Sequence, residues 1–253
     1  MVSIMQIISI VVRLKKKICW LSAGVSSFIA GWLEKETIDE FIYIDVEDQH
    51  PDSMRFIKDC EKALGKEVQI LKSEYGCVEN CVLMFNGFKH AYTGFAPCTN
   101  WLKKRVRKDW EDEHWDDEIT YVWGMDSEEQ HRAERLIEGM SHFKHQFPLI
   151  EKGITKQEAH GILKQLGIKR PEMYEMGYNN NNCIGCVKGG MGYWNKIRQD
   201  FPDVFKERAE LERKVGHSII KGVYLDELEP DRGRMSDEIS TECDIFCMLN
   251  TRF

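Results

Sequence analysis

Five cysteines carry the clearest chemical potential in this chain. Cys183 and Cys186 stand at C-x-x-C spacing inside Tyr178-Asn179-Asn180-Asn181-Asn182-Cys183-Ile184-Gly185-Cys186-Val187-Lys188-Gly189-Gly190. Two thiolates so spaced reach one metal centre, and a Gly/Asn-rich loop leaves backbone N–H groups free to face sulfur. The pattern suits zinc, an iron–sulfur cluster or a redox dithiol. Cys98 and the Cys243/Cys247 pair add three thiols, so a four-sulfur site needs no imported residue. Zinc sites usually pair two close C-x-x-C knuckles, which a distant, single Cys98 matches less well, whereas a cluster accepts scattered ligands. Cys77 and Cys81, four apart, read as a buried, thiol-bearing helix face.

A second stretch suits anions. Ile18 to Leu21 is a short hydrophobic run that enters Ser22-Ala23-Gly24-Val25-Ser26-Ser27, and a helical pattern with Phe28, Ile29, Trp32 and Leu33 on one face leaves it. A strand, small-residue loop and helix in that order aim backbone N–H groups and a positive dipole end at a phosphate. The hydroxyls of Ser22, Ser26 and Ser27 are further donors at close range. A plain strand-to-helix turn has the same composition. Downstream, Pro97-Cys98-Thr99 opens a basic helix with Lys103, Lys104, Arg105, Arg107 and Lys108, followed by an acidic run from Asp109 to Glu118. Such a helix is either a solvated face of mutually screening charges or a set of basic groups turned to an anionic ligand. Arg132 and Arg135 are candidate phosphate ligands whose default is surface salt bridging.

These groups must be held by alternating strands and helices. Phe41-Ile42-Tyr43-Ile44, ending at Asp45, is a buried strand; the polar loop Glu47 to Pro51 follows, and Asp52 is expected to cap a helix that Gly65 ends. Val68 to Leu71 is a third strand and Ile119 to Trp123 a fourth. Ser127 with Gln130, and Thr155 with Glu158, fit capping boxes. Such alternation implies right-handed crossovers and a parallel sheet covered on both faces, with ligands at the carboxyl ends of the strands. The serine loop and Asp45 both fall there. Beyond Pro148 the pattern turns helical, with one helix through Tyr193, Trp194 and Ile197 and another from Pro202 to Val215.

With 253 residues the chain can bury a full core, and a net charge of −7 with pI about 5.7 argues against wholesale nucleic-acid binding. Charged residues at 30% and a mean hydropathy of −0.45 describe an ordinary soluble protein. Ile4 to Leu14 lacks the charged start of a signal peptide and falls short of the roughly 20 residues of a membrane span. It reads as an edge strand or an extension upstream of the functional fold. Nine cysteines without secretory context point to a cytoplasmic chain with metal or redox chemistry before structural disulfides.

Taken together and in order, these residues resemble the phosphoadenosine-phosphosulfate (PAPS) reductase family within the PP-loop adenine-nucleotide alpha-hydrolase-like superfamily, over roughly Lys17 to Cys247. Ser22 to Ser27 resembles the PP-loop, and Ile44-Asp45 through His50-Pro51 the second-strand segment beside the adenosine. Cys98-Thr99-Asn100-Trp101-Leu102-Lys103 resembles the family's Cys-Thr-x-x-Leu-Lys, and Gly124 to Glu128 with Arg132 its next phosphate-side segment. The half from Asn182-Cys183-Ile184-Gly185-Cys186 is similar to compact, often phage-encoded members, and Glu242-Cys243 to the tail that carries the nucleophile in sulfonucleotide reductases.

The resemblance implies an α/β, three-layer fold of PP-loop/HUP-like type, its mostly parallel sheet flanked by helices on both faces, plus a C-terminal helical, cysteine-bearing region. The boundaries expected are 1–16 for an extension, 17–147 for the nucleotide-binding core and 148–253 for the cysteine region. It implies adenylyl sulfate or PAPS held by Ser22, Ala23, Gly24, Val25, Ser26, Ser27, Asp45, Lys103 and Arg132. A [4Fe–4S] cluster, with zinc as the lesser alternative, would sit on Cys98, Cys183, Cys186 and Cys247. Cys243 would be the nucleophile and a thioredoxin-like thiol carrier the reductant, with no membrane partner and a homo-oligomer allowed. The chain departs from the pattern in three places. Ser26 stands where the pyrophosphatase branch has a metal-holding Asp, Thr99 follows Cys98 where cluster-bearing reductases have adjacent cysteines, and Asp244 replaces the glycine after the tail cysteine. Two alternatives follow: an ATP-dependent adenylating or sulfur-transfer enzyme acting on nucleic acid along Lys103–Lys108, and a nucleotide-binding accessory subunit.

Overall fold

The computed structural model describes residues 14–89 and 96–235. Of the extension or edge strand expected over Ile4 to Leu14, residues 4–13 lie outside them. Chain order is β1 (Lys15–Leu21), α1 (Val25–Leu33), β2 (Glu40–Asp45), α2 (Asp52–Leu64), β3 (Val68–Lys72) and α3 (Val78–Phe85). A continuous helix then runs through α4 (Pro97–Thr99), a π-helical stretch Asn100–Lys104 and α5 (Arg105–Glu113). After it come β4 (Glu118–Val122), α6 (Gln130–Gly139) and β5 (Lys144–Gln146). The remainder is helical: α7 (Pro148–Glu151), α8 (Lys156–Gln165), α9 (Glu172–Glu175), α10 (Met191–Asp200) and α11 (Pro202–Val215). Among the described residues no helix is long and apolar enough to cross a membrane.

The five strands form one sheet in the order β3-β2-β1-β4-β5, and every pairing is parallel. Because side chains alternate across a strand, β1 and β2 feed two cores at once. Ile18, Trp20, Ile42 and Ile44 join one cluster, which α3, α5, α10 and α11 cover. Cys19, Leu21, Phe41 and Tyr43 join the other, covered by α1, α2 and α8. The fold is thus α/β in three layers. The chain leaves β1 toward β2 and β3 on one side and reaches β4 and β5 on the other, so the order reverses between β1 and β4. A crevice opens beyond the carboxyl ends of strands at such a point.

Three local expectations need correction. Asp52 is not a cap: α2 starts on it after Pro51, and its carboxylate instead takes Arg55 and the Glu172 amide. Ser127 and Gln130 form no capping box, because α6 starts at Gln130 without a side-chain cap. In the turn before the helix, Asp126 Oδ1 accepts from Glu128 N at 3.0 Å and Glu129 Oε2 accepts from Asp126 N at 3.3 Å. β4 stops at Val122, and Trp123 belongs to the exit loop. The Thr155–Glu158 box forms with both of its bonds.

Candidate functional site

The serine loop closes upon itself. Ser27 Oγ donates to Gly24 O at 3.0 Å and accepts from Ser22 N at 3.0 Å. With that proton spent, the 2.9 Å contact between the two hydroxyls is a donation from Ser22 Oγ, which in turn accepts from Gly24 N at 3.2 Å. The hydroxyls of Ser22 and Ser27 therefore shape the loop, where the sequence suggests donors for a ligand. Ser26, 3% exposed, takes no part in this network. Ala23 is held at φ 59° so that the chain can turn from β1 into α1. The first backbone bond of α1 runs from Phe28 N to Gly24 O, so the amides of Val25, Ser26 and Ser27 have no partner within the helix. N–H groups so placed at the end of the central strand have the polarity that suits an anion.

The cysteine loop docks on the serine loop from 158 residues away. Asn181 Nδ2 donates to Ala23 O at 2.9 Å and to Ser53 Oγ at 3.0 Å. Ile184 N donates to Asp48 O at 2.8 Å. Asp48 itself is a junction: Oδ2 accepts from Val78 N at 2.7 Å, at the start of α3, and Oδ1 pairs with the buried Arg208 of α11. The turn between the two cysteines is fastened by Tyr193 Oη, which accepts from Cys186 N at 2.9 Å and donates to Cys183 O at 3.2 Å. Gly185 takes φ +67°, and a Cβ there would stand 2.7 Å from Val204 Cγ1. Sequence reasoning passes over Asp48, Asn181 and Tyr193; the only signals are a polar loop, an asparagine run and a tyrosine on a core helix face.

One cavity gathers Cys98, Thr99, Lys103, Cys183, Cys186 and Lys188, with Val46, Val78 and Leu102 among its apolar walls. Three of the four expected metal ligands thus face a common space. Cys183 and Cys186 are buried and Cys98 is half-buried. Lys103 and Lys188 line the same cavity as the sulfurs. The π-helical stretch buries Leu102 and Lys103 in succession. Thr99 Oγ1 is buried here without a hydrogen-bond partner. Among the described residues no three His, Cys, Asp or Glu side chains stand close enough to share one metal ion. A single zinc requires its sulfurs at about 2.3 Å from one point. Of the four cysteines expected to hold a [4Fe–4S] cluster, Cys98, Cys183 and Cys186 line this cavity and Cys247 lies outside the described residues.

Other expected residues fall differently. Asp45 ends β2 and pairs with Lys72 on β3 at 3.0 Å. Arg132 pairs with Glu129 and does not line the cavity. Nearby, burial and the Glu129 charge raise the Asp126 carboxyl above the ordinary range. Cys19, under the serine loop, is pushed up to about 12 by burial, and Cys81 likewise to about 12, so both are structural thiols. Cys77 caps α3 while Cys81 is buried inside it. Cys243 and Cys247 lie outside the described residues.

No protein-family model matches the chain, and no curated protein matches it. Among solved structures the chain is similar to phosphoadenylyl-sulfate (PAPS) reductase from Candida auris in its phosphate complex. The TM-score is 0.48 with 11% identity, over 67% of this chain and 82% of that one.

Proposed function

We propose that the chain is a sulfonucleotide-reductase-like oxidoreductase. An adenylyl sulfate or PAPS binds with its phosphates on the Ser22–Ser27 loop, Lys103 and Arg132, with Asp45 on the side of the adenosine. The observation that carries this reading is the Asn181–Ala23 bond, because it seats the loop of Cys183 and Cys186 against the serine loop. Residues 17–147 then supply the nucleotide site and 148–253 the thiol chemistry. Cys98, Cys183 and Cys186, with Cys247, would hold a [4Fe–4S] cluster, which when bound would tie these segments together and set the electrostatics of the cavity.

The chemistry falls to Cys243. Its thiolate attacks the sulfate sulfur, the sulfur–oxygen bond to the phosphate breaks, and the nucleotide leaves with that oxygen and its electron pair. The resulting S-sulfocysteine is reduced by an external dithiol, such as a thioredoxin-like carrier, which departs as a disulfide while sulfite is released and the Cys243 thiol regenerated. The test is anaerobic turnover of PAPS and of adenylyl sulfate with thioredoxin. Sulfite should appear with the native chain and vanish in Cys243→Ser while nucleotide affinity persists. Absence of sulfite from both substrates overturns the reading.

A further inference from the structure

The asparagine run before Cys183 contains a buried acceptor with nothing to accept. Asn181 is 5% exposed, and its Nδ2 holds both Ala23 O and Ser53 Oγ. A carbonyl oxygen only accepts, so the amide has one orientation, and Oδ1 is the remaining atom. Oδ1 is buried without a donor, an arrangement that native interiors rarely leave standing. The amide sits beside the serine loop and the start of α2. Phosphate and sulfate esters at neutral pH offer no proton to donate, so the anionic part of a nucleotide cannot satisfy it. The sugar hydroxyls and the exocyclic amine of the base can.

We propose that Asn181 Oδ1 accepts a hydrogen bond from the nucleoside of the bound adenine nucleotide, while Nδ2 of the same amide holds the serine loop. The proposal rests on nucleotide binding at that loop and adds a specificity residue to it. Because Asn181 lies two residues before Cys183, ligand recognition and placement of the thiol loop share one side chain.

The experiment is calorimetric binding of AMP, 2′-deoxy-AMP, 3′-deoxy-AMP and IMP to the native chain, to Asn181→Ala and to Asn181→Ser. Asn181→Ser carries a hydroxyl one bond shorter than the amide, and the ratio between ligands is read in whichever variant keeps the native unfolding transition. One analogue is expected to bind about tenfold more weakly than AMP to the native chain. That penalty should fall to within about twofold in the variants. Its identity tells a sugar hydroxyl from the base amine. Equal affinity of all four ligands for the native chain overturns the proposal in favour of a buried water on Oδ1. A penalty that survives in the variants also overturns it. If AMP does not bind at all, the nucleotide reading falls with it; if AMP binds but sulfite is never formed, the proposed reaction fails and the Asn181 assignment stands on its own ratio.

Discussion

Gly124 and Ser27 touch backbone to backbone. A Cβ on Gly124 would stand 2.3 Å from Ser27 Cα and 2.5 Å from Ser27 N. Only glycine lets the exit of β4 lie against the first turn of α1, and this contact brings the two loops of the crevice together. No rotamer change can relieve the overlap, since the atoms met belong to backbone.

Gly124→Ala should therefore shift either α1 or the β4 exit. The expected cost is about 1–3 kcal/mol of stability, as for other overpacked substitutions, measured by urea unfolding. AMP affinity should fall with it, because the amides of Val25, Ser26 and Ser27 move. An alanine variant of native stability and native affinity would show the contact to be softer than the geometry implies.

Asp48 and Arg208 form a buried pair that ties the loop after β2 to α11. Their side chains are 8% and 6% exposed, and Asp48 also holds Val78 N and, through its carbonyl, Ile184 N. Arg208→Met strands a buried carboxylate, which should cost about 3–5 kcal/mol. The double variant with Asp48→Asn should recover much of the loss in urea titrations, because no charge is then left unpaired. Additive losses would mean that the two residues act separately.

How much of this is readable from residues alone depends on range. Phe41-Ile42-Tyr43-Ile44 announces β2, since a strand buried on both faces is apolar throughout. Lys144-His145-Gln146 does not announce β5; three half-buried or exposed polar residues become a strand only through pairing with Thr120, Tyr121 and Val122. The serine loop is legible as a turn from strand to helix, yet composition cannot tell that Ser22 and Ser27 bond each other. Cys98 and the Cys183–Cys186 pair can be grouped by chemistry, whereas Asp48 and Asn181 cannot. Their partners lie 160 and 158 residues away along the chain, and a lone Asp or Asn in a polar stretch has a dozen commoner explanations.

His160 gives a pH dependence with a definite sign. Its ring meets Tyr174 edge-on at 4.8 Å, and Nδ1 is buried without a partner. Burial first, then the charges of Arg170 and Lys156, push its pKa from 6.5 down to about 4. The unfolded chain takes up the proton first as pH falls. The contribution is thus whole above pH 6.5 and is lost progressively toward pH 4. His160→Phe, which has no proton to gain, should show a shallower decline of melting temperature between pH 7 and 4.5 than the native chain. Parallel declines would remove His160 from the account.

Tyr193 tests how the thiol turn is held. Its hydroxyl bridges Cys186 N and Cys183 O inside a fully buried ring environment, and the burial raises its own pKa well above the ordinary phenol range. Tyr193→Phe deletes one oxygen and leaves a backbone amide and a carbonyl buried without their partner. That should cost about 1–3 kcal/mol and loosen the turn without disturbing the serine loop. Iodoacetamide labelling resolved by peptide mapping should then modify Cys183 and Cys186 several-fold faster, with Cys98 as the internal standard. Under anaerobic reconstitution the same variant should retain less iron and sulfide than the native chain while binding AMP equally well. Unchanged labelling at both cysteines would mean that Gly185 and the Ile184–Asp48 bond hold the turn unaided, and equal loss of AMP binding would mean that the thiol loop and the serine loop cannot be separated.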